Sequence, residues 1–169
     1  ADYTEVNAAI SRANELDENL YKDFTAVENA INAVDRTKNF KEQTEVDDMA
    51  RAINDAIAAL EYKDADYTET DEAIAKANTL NPDDYKDFSA VEAAVNAVIR
   101  GKNITEQTEV DLMAENINNA VTALKYKDAD YTETDKAIAK ANALNPDDYK
   151  DFSAVEAAVN AVVRGKNIT

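Results

Sequence analysis

The sequence predicts an all-α protein built from tandem three-helix bundles, each running up-down-up, arranged end to end as a rod. Three observations predict this fold. The chain matches itself without gaps at an offset of 64 residues, and residues 1–64 agree with residues 65–128 at 40 of 64 positions, which indicates a repeat array. Apolar residues recur every three or four positions within each repeat, as on one face of a helix. The chain has only two Gly and two Pro, and they fall between the apolar segments.

The offset defines three repeats, and each is expected to be one domain. The first repeat is residues 1–64 and the second is residues 65–128. Each full repeat is expected to contain three helices, here called A, B and C. Residues 129–169 are expected to form an incomplete third repeat with helices A and B only. A unit of this size needs a well-packed core, because one small core rarely supplies more than ~3–5 kcal/mol.

Helix A opens each repeat. It is predicted to begin between Asp2 and Thr4, where side-chain oxygens can accept hydrogen bonds from the free N–H groups of the first turn. In the second repeat it is predicted to end near Leu80, since the Asn81-Pro82 pair that follows disfavours helical backbone before the proline. Its apolar positions form one stripe, which in the first repeat is Tyr3, Val6, Ile10, Ala13 and Leu16.

Helix B follows a loop that carries Tyr85 and Phe88. The run from Ser89 to Glu92 predicts a capping box, in which the serine oxygen accepts from the third amide of the helix and the glutamate reaches back. Phe88 is expected to pack on the first turn. The helix is predicted to end at Gly101, because glycine readily adopts the left-handed conformation that closes a helix.

Helix C is predicted to begin after Thr105 and to bury one regular stripe, Val110, Met113, Ile117, Val121 and Leu124. Three amphipathic helices joined by short loops favour an up-down-up bundle. The segment between repeats, residues 60–67, contains no Gly or Pro, so successive bundles are expected to be held at a defined angle. Helix C either continues into the next helix A or is interrupted at residues 64–66, where a capping signal reappears.

The composition excludes most catalytic and metal chemistry. The chain has no Cys, His or Trp, which removes thiol nucleophiles, imidazole bases and most transition-metal ligands. Its 35 acidic residues outnumber its 18 basic residues, for a net charge of −17, and such a surface repels nucleic acid and anionic lipid. We therefore expect no enzymatic activity, no cofactor, no nucleic-acid partner and no membrane insertion.

Three side chains are candidates for contacts with another protein. Leu112 lies off the apolar stripe of helix C, and Tyr62 and Tyr126 lie where helix C ends. The two tyrosine rings could cover the seam between neighbouring bundles while their hydroxyls reach solvent. An isolated exposed leucine is also common on protein surfaces, so a purely structural interpretation remains open for Leu112.

Clustered carboxylates also have two interpretations. Asp83, Asp84 and Asp87 could supply oxygens to a calcium ion, but the first repeat carries different residues there and no EF-hand spacing occurs. Glu106 and Glu109 could in principle exchange protons, yet they are better explained as favourable charge at the N-terminus of helix C. No metal site and no catalytic residue is therefore predicted.

The order of apolar and aromatic residues resembles the FIVAR module, a three-helix unit of Gram-positive surface proteins and secreted carbohydrate-active enzymes. The resemblance covers each full repeat and the third as far as Thr169. The family often has Trp where Phe24, Phe88 and Phe152 stand here. The matching residues are Leu80, Tyr85, Phe88, Val91, Ala94, Val98, Gln107, Val110, Ala114, Ala120 and Leu124.

The resemblance implies a secreted or cell-wall-attached protein in which tandem modules form a stalk. In some family members it also implies an adhesive surface for host matrix proteins such as fibronectin. We therefore expect a structural spacer that projects another domain, with its signal and anchor outside this chain. The alternative is a module that binds a matrix or serum protein through repeated helix faces, so that avidity accumulates along the array.

Overall fold

The computed structural model describes all 169 residues and contains eight α-helices and no β-strand. The prediction of an all-α fold is therefore confirmed. None of the helices combines the length and the apolar character needed to cross a lipid bilayer. In chain order the helices are α1 Thr4–Asn14, α2 Thr25–Asn32, α3 Gln43–Ala58, α4 Thr68–Asn78, α5 Ser89–Asn96, α6 Gln107–Thr122, α7 Thr132–Asn142 and α8 Ser153–Asn160.

The chain divides into two compact units. The first unit contains residues 1–70 and 99–113, and the second contains residues 71–98 and 114–169. The helices α1, α2 and α3 belong to the first unit, whereas α5, α7 and α8 belong to the second. The helices α4 and α6 each contribute residues to both units.

The core of the first unit is enclosed by α1, α2 and α3, with α3 packed against both of the others. Most of its side chains lie on the predicted apolar stripes, but Ala9 and Ala50 do not, and Phe24 packs at its margin. Burying one valine or isoleucine side chain contributes about 1.5–3 kcal/mol. Seven residues of this core are at most 4% exposed: Val6, Ala9, Ala13, Val27, Val46, Ala50 and Ile53.

The core of the second unit is smaller. Its partly buried margin includes Phe88 and Val121. The helices α7 and α8 pack against each other in the same unit, yet neither contains a buried residue. The fully packed residues are Ala73, Ala77, Val91, Ala114 and Ile117.

Aspartates two positions before the helices supply the capping groups. The carboxylate of Asp2 accepts from the N–H of Thr4 at 2.9 Å, which confirms the predicted start of helix A. The carboxylate of Asp87 accepts from the N–H of Ser89 at 2.9 Å. The capping box predicted for Ser89 and Glu92 is wrong, because the charged Asp87 oxygen is a stronger acceptor than a hydroxyl and reaches the start of the helix.

A true capping box lies one loop later. The side chain of Asn103 accepts from the N–H of Thr105 at 2.9 Å, and the N–H of Asn103 donates to the carboxylate of Glu106 at 3.1 Å. A short 3-10 turn follows, and α6 begins at Gln107. The predicted start of helix C after Thr105 is therefore confirmed.

Helix B is shorter than the sequence predicts. The helix α5 ends at Asn96, and Gly101 lies in the connection to α6 with a φ of +84°. The glycine thus adopts the left-handed conformation, but it does so in the connection and does not close the helix. In the connection that follows α5, the hydroxyl of Tyr67 forms hydrogen bonds with the backbone of Ile99 and Lys102.

Helices A and C of successive repeats are separate, because α3 ends at Ala58 and α4 begins at Thr68. The alternative of one continuous helix is wrong. The intervening backbone is extended and pairs on both sides. Residues 61–63 form hydrogen bonds with residues 20–22 at 2.8 and 2.9 Å, and residues 63–65 form hydrogen bonds with residues 102–104 at 2.8 and 3.0 Å. We call residues 61–65 the first junction.

The same pairing recurs 64 residues later. Residues 125–127 form hydrogen bonds with residues 84–86 at 2.8 and 2.9 Å, and residues 127–129 form hydrogen bonds with residues 166–168 at 2.8 and 3.1 Å. Four isolated antiparallel bridges mark these pairings. We call residues 125–129 the second junction, and both junctions have the same hydrogen-bond pattern.

Candidate functional site

An exposed apolar pair lies on the second repeat. Leu112 on α6 is 50% exposed, as its position off the stripe predicts, and Ile99 is 61% exposed. The N–H of Ile99 lies 3.4 Å from the sulfur of Met113, the neighbour of Leu112. Ile99 and Leu112 are both exposed apolar side chains of the second repeat, and we call them the apolar pair.

The first repeat carries charges in place of the apolar pair. Asp35 stands at the position of Ile99, and Asp48 stands at the position of Leu112. Asp48 forms an ion pair with Arg51 at 2.7 Å. The sequence analysis singled out Leu112 but not Ile99, although the replacement of two aspartates by two aliphatic residues was the signal that could have found it.

The two candidate tyrosines each stack on another tyrosine of the same repeat. Tyr62 is 41% exposed, and its ring lies 4.8 Å from that of the buried Tyr21. Tyr126 is 39% exposed, and its ring lies 4.8 Å from that of Tyr85. Each ring therefore has one covered face and one edge in solvent. The contact brings the junction segment against the loop before helix B.

The phenol groups in these stacks influence each other. A hydrogen bond with the Tyr62 hydroxyl, together with burial, raises the pKa of Tyr21 above its usual value. The hydrogen bond with Tyr126 raises the pKa of Tyr85 for the same reason. A raised pKa keeps the Tyr21 and Tyr85 phenols protonated, and the stacks contribute packing and hydrogen bonding.

A third tyrosine in each repeat fastens the connection between helices B and C. The Tyr67 hydroxyl donates to the carbonyl oxygen of Ile99 at 2.9 Å and accepts from the N–H of Lys102 at 3.2 Å. The guanidinium of Arg100 lies 4.8 Å above the ring centre, which is a favourable cation–π distance. Tyr3 makes the equivalent contacts in the first repeat.

Lys102 joins this connection to the start of α6. Its ammonium group lies 2.9 Å from Glu106 and 2.7 Å from Glu109, and its side chain is only 14% exposed. The hydrogen bonds with Glu109 and Glu106 raise the pKa of Lys102, and the ammonium group in turn lowers the pKa of Glu106. The raised pKa of Lys102 and the lowered pKa of Glu106 keep both of these groups charged at neutral pH.

The aspartates proposed as calcium ligands have structural partners. The Asp84 carboxylate accepts from the Asn81 side chain at 3.0 Å, and Asp87 caps α5. No group of three or more acidic side chains in the chain is arranged to hold a metal ion. Hydrogen bonds from Ser89 lower the pKa of Asp87, as expected for a capping carboxylate.

A concave apolar surface lies between α7 and α8. It is a groove lined by aliphatic side chains and not by polar or titratable groups, apart from one threonine. Such a surface can hold another apolar side chain or helix, but it offers no group for catalysis.

Known proteins similar to this chain come from Staphylococcus aureus. The chain is 29% identical over 189 aligned positions, covering 98% of its length, to the extracellular matrix-binding protein EbhA of strain Mu3. It is equally similar to the extracellular matrix-binding protein ebh of strain JH9. The chain spans about 3% of the length of the first relative and 2% of the second. No family model matches the chain, and no solved structure gives a significant match.

The names of these relatives describe binding to the extracellular matrix, and they support an extracellular location for this chain. The finer assignment to the FIVAR family stays a prediction because no family model supports it. The candidate contact residues Leu112, Tyr62 and Tyr126 are all partly in solvent, and their role in binding also stays a prediction.

Proposed function

We propose that the chain is a structural spacer of an extracellular bacterial protein, made of tandem three-helix bundles of the FIVAR type that follow one another as a stalk. It holds another domain away from the cell surface and has no catalytic role. The relatives support the extracellular setting, because their names place them at the extracellular matrix. The repeat length of 64 residues supports the modular organisation.

One observation carries the proposal. The N–H of Lys63 donates to the carbonyl oxygen of Leu20 in the first repeat at 2.8 Å, and the carbonyl oxygen of Lys63 accepts from the N–H of Ile104 in the second repeat at 2.8 Å. A flexible linker leaves such groups to water. Because one junction residue bonds to both repeats, the angle between the two is restricted, as a stalk requires.

Small-angle X-ray scattering tests the stalk. With helices up to 16 residues long, each bundle is about 24 Å long at ~1.5 Å per residue, and three in line are about 70 Å long. A rod of this length has a radius of gyration near ~20 Å, whereas a compact chain of this size has about 15 Å. A value near the compact limit contradicts the stalk.

A matched pair of insertions separates stiffness from length. Four residues of Gly and Ser inserted between Lys63 and Asp64 break the register of the first junction, and we expect the distribution of interatomic distances to broaden. The same four residues added after Thr169 leave both junctions intact. An equal broadening in both variants contradicts a junction that sets the angle between repeats.

The apolar pair favours a second candidate function, adhesion to a host protein. Ile99 and Leu112 are 61% and 50% exposed, and exposed apolar side chains surrounded by polar surface are typical of protein-binding sites. The names of the relatives agree with a matrix partner. In this function the second repeat binds and the first, which has Asp35 and Asp48 at these positions, does not.

Surface plasmon resonance against immobilised matrix and serum proteins, fibronectin among them, tests adhesion. The variant Ile99→Asp with Leu112→Asp gives the second repeat the residues of the first, so it is expected to fold and to lose binding. If this double variant keeps full affinity, the binding surface lies elsewhere on the chain. If the unaltered chain binds none of these proteins, the spacer function stands alone.

A further inference from the structure

A pocket of about 200 Å³ opens between α4 and α5 of the second repeat. No residue of α6 lines it, although Ala114 and Ile117 of α6 share one core with residues of both helices. The pocket therefore lies on a flank that helix C leaves open in a complete repeat. Its lining residues are Ala77, Asn78, Phe88, Val91, Glu92, Val95 and Asn96.

The floor of the pocket is apolar. Ala77 and Val91 are buried members of the core, and Phe88 and Val95 are partly buried beside them. Val91 and Val95 are one turn apart on α5, so their side chains lie next to each other along the helix. An aliphatic chain placed on this floor leaves water and gains the free energy of apolar burial.

The rim of the pocket carries three polar side chains. Asn78 is the last residue of α4, whereas Glu92 and Asn96 are one turn apart on α5. All three residues are exposed, and none of their side chains forms a hydrogen bond or an ion pair within the chain. The rim therefore offers one carboxylate and two amide groups that no part of the fold uses.

The arrangement recurs along the chain. In the third repeat the seven residues 64 positions later line a pocket of about 260 Å³. In the first repeat six of the seven residues are identical, and Ile31 stands in place of Val95. The three rim residues are thus Asn, Glu and Asn in every repeat.

The rim matches an ammonium group. Glu92 supplies a negative charge, and the amide oxygens of Asn78 and Asn96 are two further acceptors. A lysine ammonium group has three N–H donors and no acceptor, so it can donate to all three groups, whereas a guanidinium group donates in one plane and pairs best with a single carboxylate. The aliphatic stem of a lysine side chain also matches the apolar floor.

The charge of the chain indicates the source of this lysine. Because the net charge is −17, a second copy of the chain is repelled and a protein with a basic surface is attracted. We propose that the pocket between α4 and α5 binds a lysine side chain of a basic partner protein. The stem packs on the floor, and the ammonium group donates to Glu92, Asn78 and Asn96. The site is separate from the apolar pair, which does not line it.

A nuclear magnetic resonance titration of the full chain with Nα-acetyl-lysine N-methylamide tests the site. We expect a dissociation constant on the order of 10 mM, since one side chain binds without the rest of a partner. The side-chain amide signals of Asn78 and Asn96 and the methyl signals of Val95 should shift, whereas the side-chain amide of Asn118, exposed on α6, should not. The norleucine analogue, which keeps the stem but lacks the ammonium group, should bind at least threefold more weakly at equal ionic strength.

Variants of the chain separate the charge of the pocket from its space. Glu92→Gln removes the charge of an exposed side chain that has no partner, so it should fold and bind the lysine probe at least threefold more weakly, read at Asn78. Glu72→Gln removes the same charge from an exposed position of α4 outside the pocket, and it should bind as the parent does. Val95→Ile gives the pocket the residue of the first repeat, so it should fold, and its added methyl group should weaken binding.

Three outcomes would overturn the lysine site. The first is no shift of Asn78 and Asn96 at about 50 mM probe, several times the expected dissociation constant. The second is equal affinity for the norleucine analogue or for Nα-acetyl-arginine N-methylamide, which shows an apolar pocket or a general cation site. The third is an equal loss of affinity in Glu92→Gln and Glu72→Gln, which shows attraction to the acidic surface as a whole.

Discussion

The hydroxyl of Tyr67 donates a hydrogen bond to the carbonyl oxygen of Ile99 at 2.9 Å. Tyr67 precedes helix A of its repeat and Ile99 follows helix B, so one side chain ties two loops that are 32 residues apart. The same hydroxyl accepts from the N–H of Lys102. Two backbone groups of the connection thus depend on a single oxygen atom.

Removing that oxygen should weaken the second repeat. Tyr67→Phe keeps the ring under Arg100 but deletes both hydrogen bonds, and we expect a loss of about 1–2 kcal/mol of unfolding free energy. Hydrogen exchange measures the local effect. The amide of Lys102 should exchange faster, while the amide of Lys38, which Tyr3 holds in the first repeat, should keep its protection. If the Lys102 amide exchanges at the same rate in the parent and in Tyr67→Phe, the proposed role of the hydroxyl is contradicted.

Ile117 is fully buried in the core of the second unit. Ile117→Ala should lower the free energy of unfolding by about 2–5 kcal/mol, because it removes buried carbon atoms and leaves a cavity. Ile99→Ala is the matched control, since the same atoms are removed from a side chain that is 61% exposed. Urea denaturation measures both, and a loss below ~0.5 kcal/mol for Ile117→Ala would place the buried face of α6 elsewhere.

Gly101 and its counterpart Thr37 represent two solutions for the same turn. Gly101 has a φ of +84° with open space around its missing side chain, whereas Thr37 has no positive φ and donates its N–H to Asp35 at 2.9 Å. Gly101→Thr should therefore cost about 1–2 kcal/mol from backbone strain alone.

The double variant Ile99→Asp with Gly101→Thr should recover part of that loss, because it restores the aspartate that accepts from the threonine in the first repeat. The thermal unfolding midpoint of the single and double variants measures this coupling. Additive losses in the double variant would show that the two turns are not interchangeable.

Acid should destabilise the helix starts. Hydrogen bonds from the Thr68 hydroxyl and N–H lower the pKa of Asp66 below its ordinary value of 3.8. A group whose pKa is lower in the folded state stabilises the protein above the unfolded pKa, and that stabilisation is lost as the pH falls through the folded pKa. The same direction holds for five other capping aspartates, Asp2, Asp23, Asp87, Asp130 and Asp151, and for Asp35 in the connection after α2.

Asp66→Asn isolates this effect, since asparagine also caps helices but does not titrate. The variant should unfold at nearly the same temperature as the parent at neutral pH, and it should lose less stability as the pH falls below about 4. Glu115→Gln changes the charge by the same amount within α6 and should leave the pH dependence as it is. Identical acid transitions for the parent and Asp66→Asn would rule out this role for the cap.

The sequence predicts the helices well where local patterns determine them. The start of α1 follows from Asp2, the start of α6 follows from the loop before it, and the buried residues Val110 and Ile117 follow from the stripe of helix C. The end of helix B was predicted wrongly at Gly101, since the helix ends at Asn96 and the connection that follows is held by Tyr67, which is distant in the chain. A capping signal is local, whereas this contact is not.

The candidate site was predicted in part for the same reason. The exposure of Leu112 follows from its position off the helical stripe, but Ile99 could be found only by comparing repeats. The partners of Tyr62 and Tyr126 were not predicted, because the junction pairs through backbone groups. Such groups are the same in every residue type and leave no pattern in the sequence.

The backbone of Lys63, which bonds to Leu20 through its N–H and to Ile104 through its carbonyl oxygen, links the folding of neighbouring repeats. If one repeat unfolds, the junction loses its partners on that side, and the next repeat loses part of its own stability. The array then behaves as a one-dimensional chain with nearest-neighbour coupling, in which interior repeats are supported on two sides and terminal repeats on one. Unfolding should therefore start at an end and spread inward, and adding repeats should raise the midpoint and sharpen the transition.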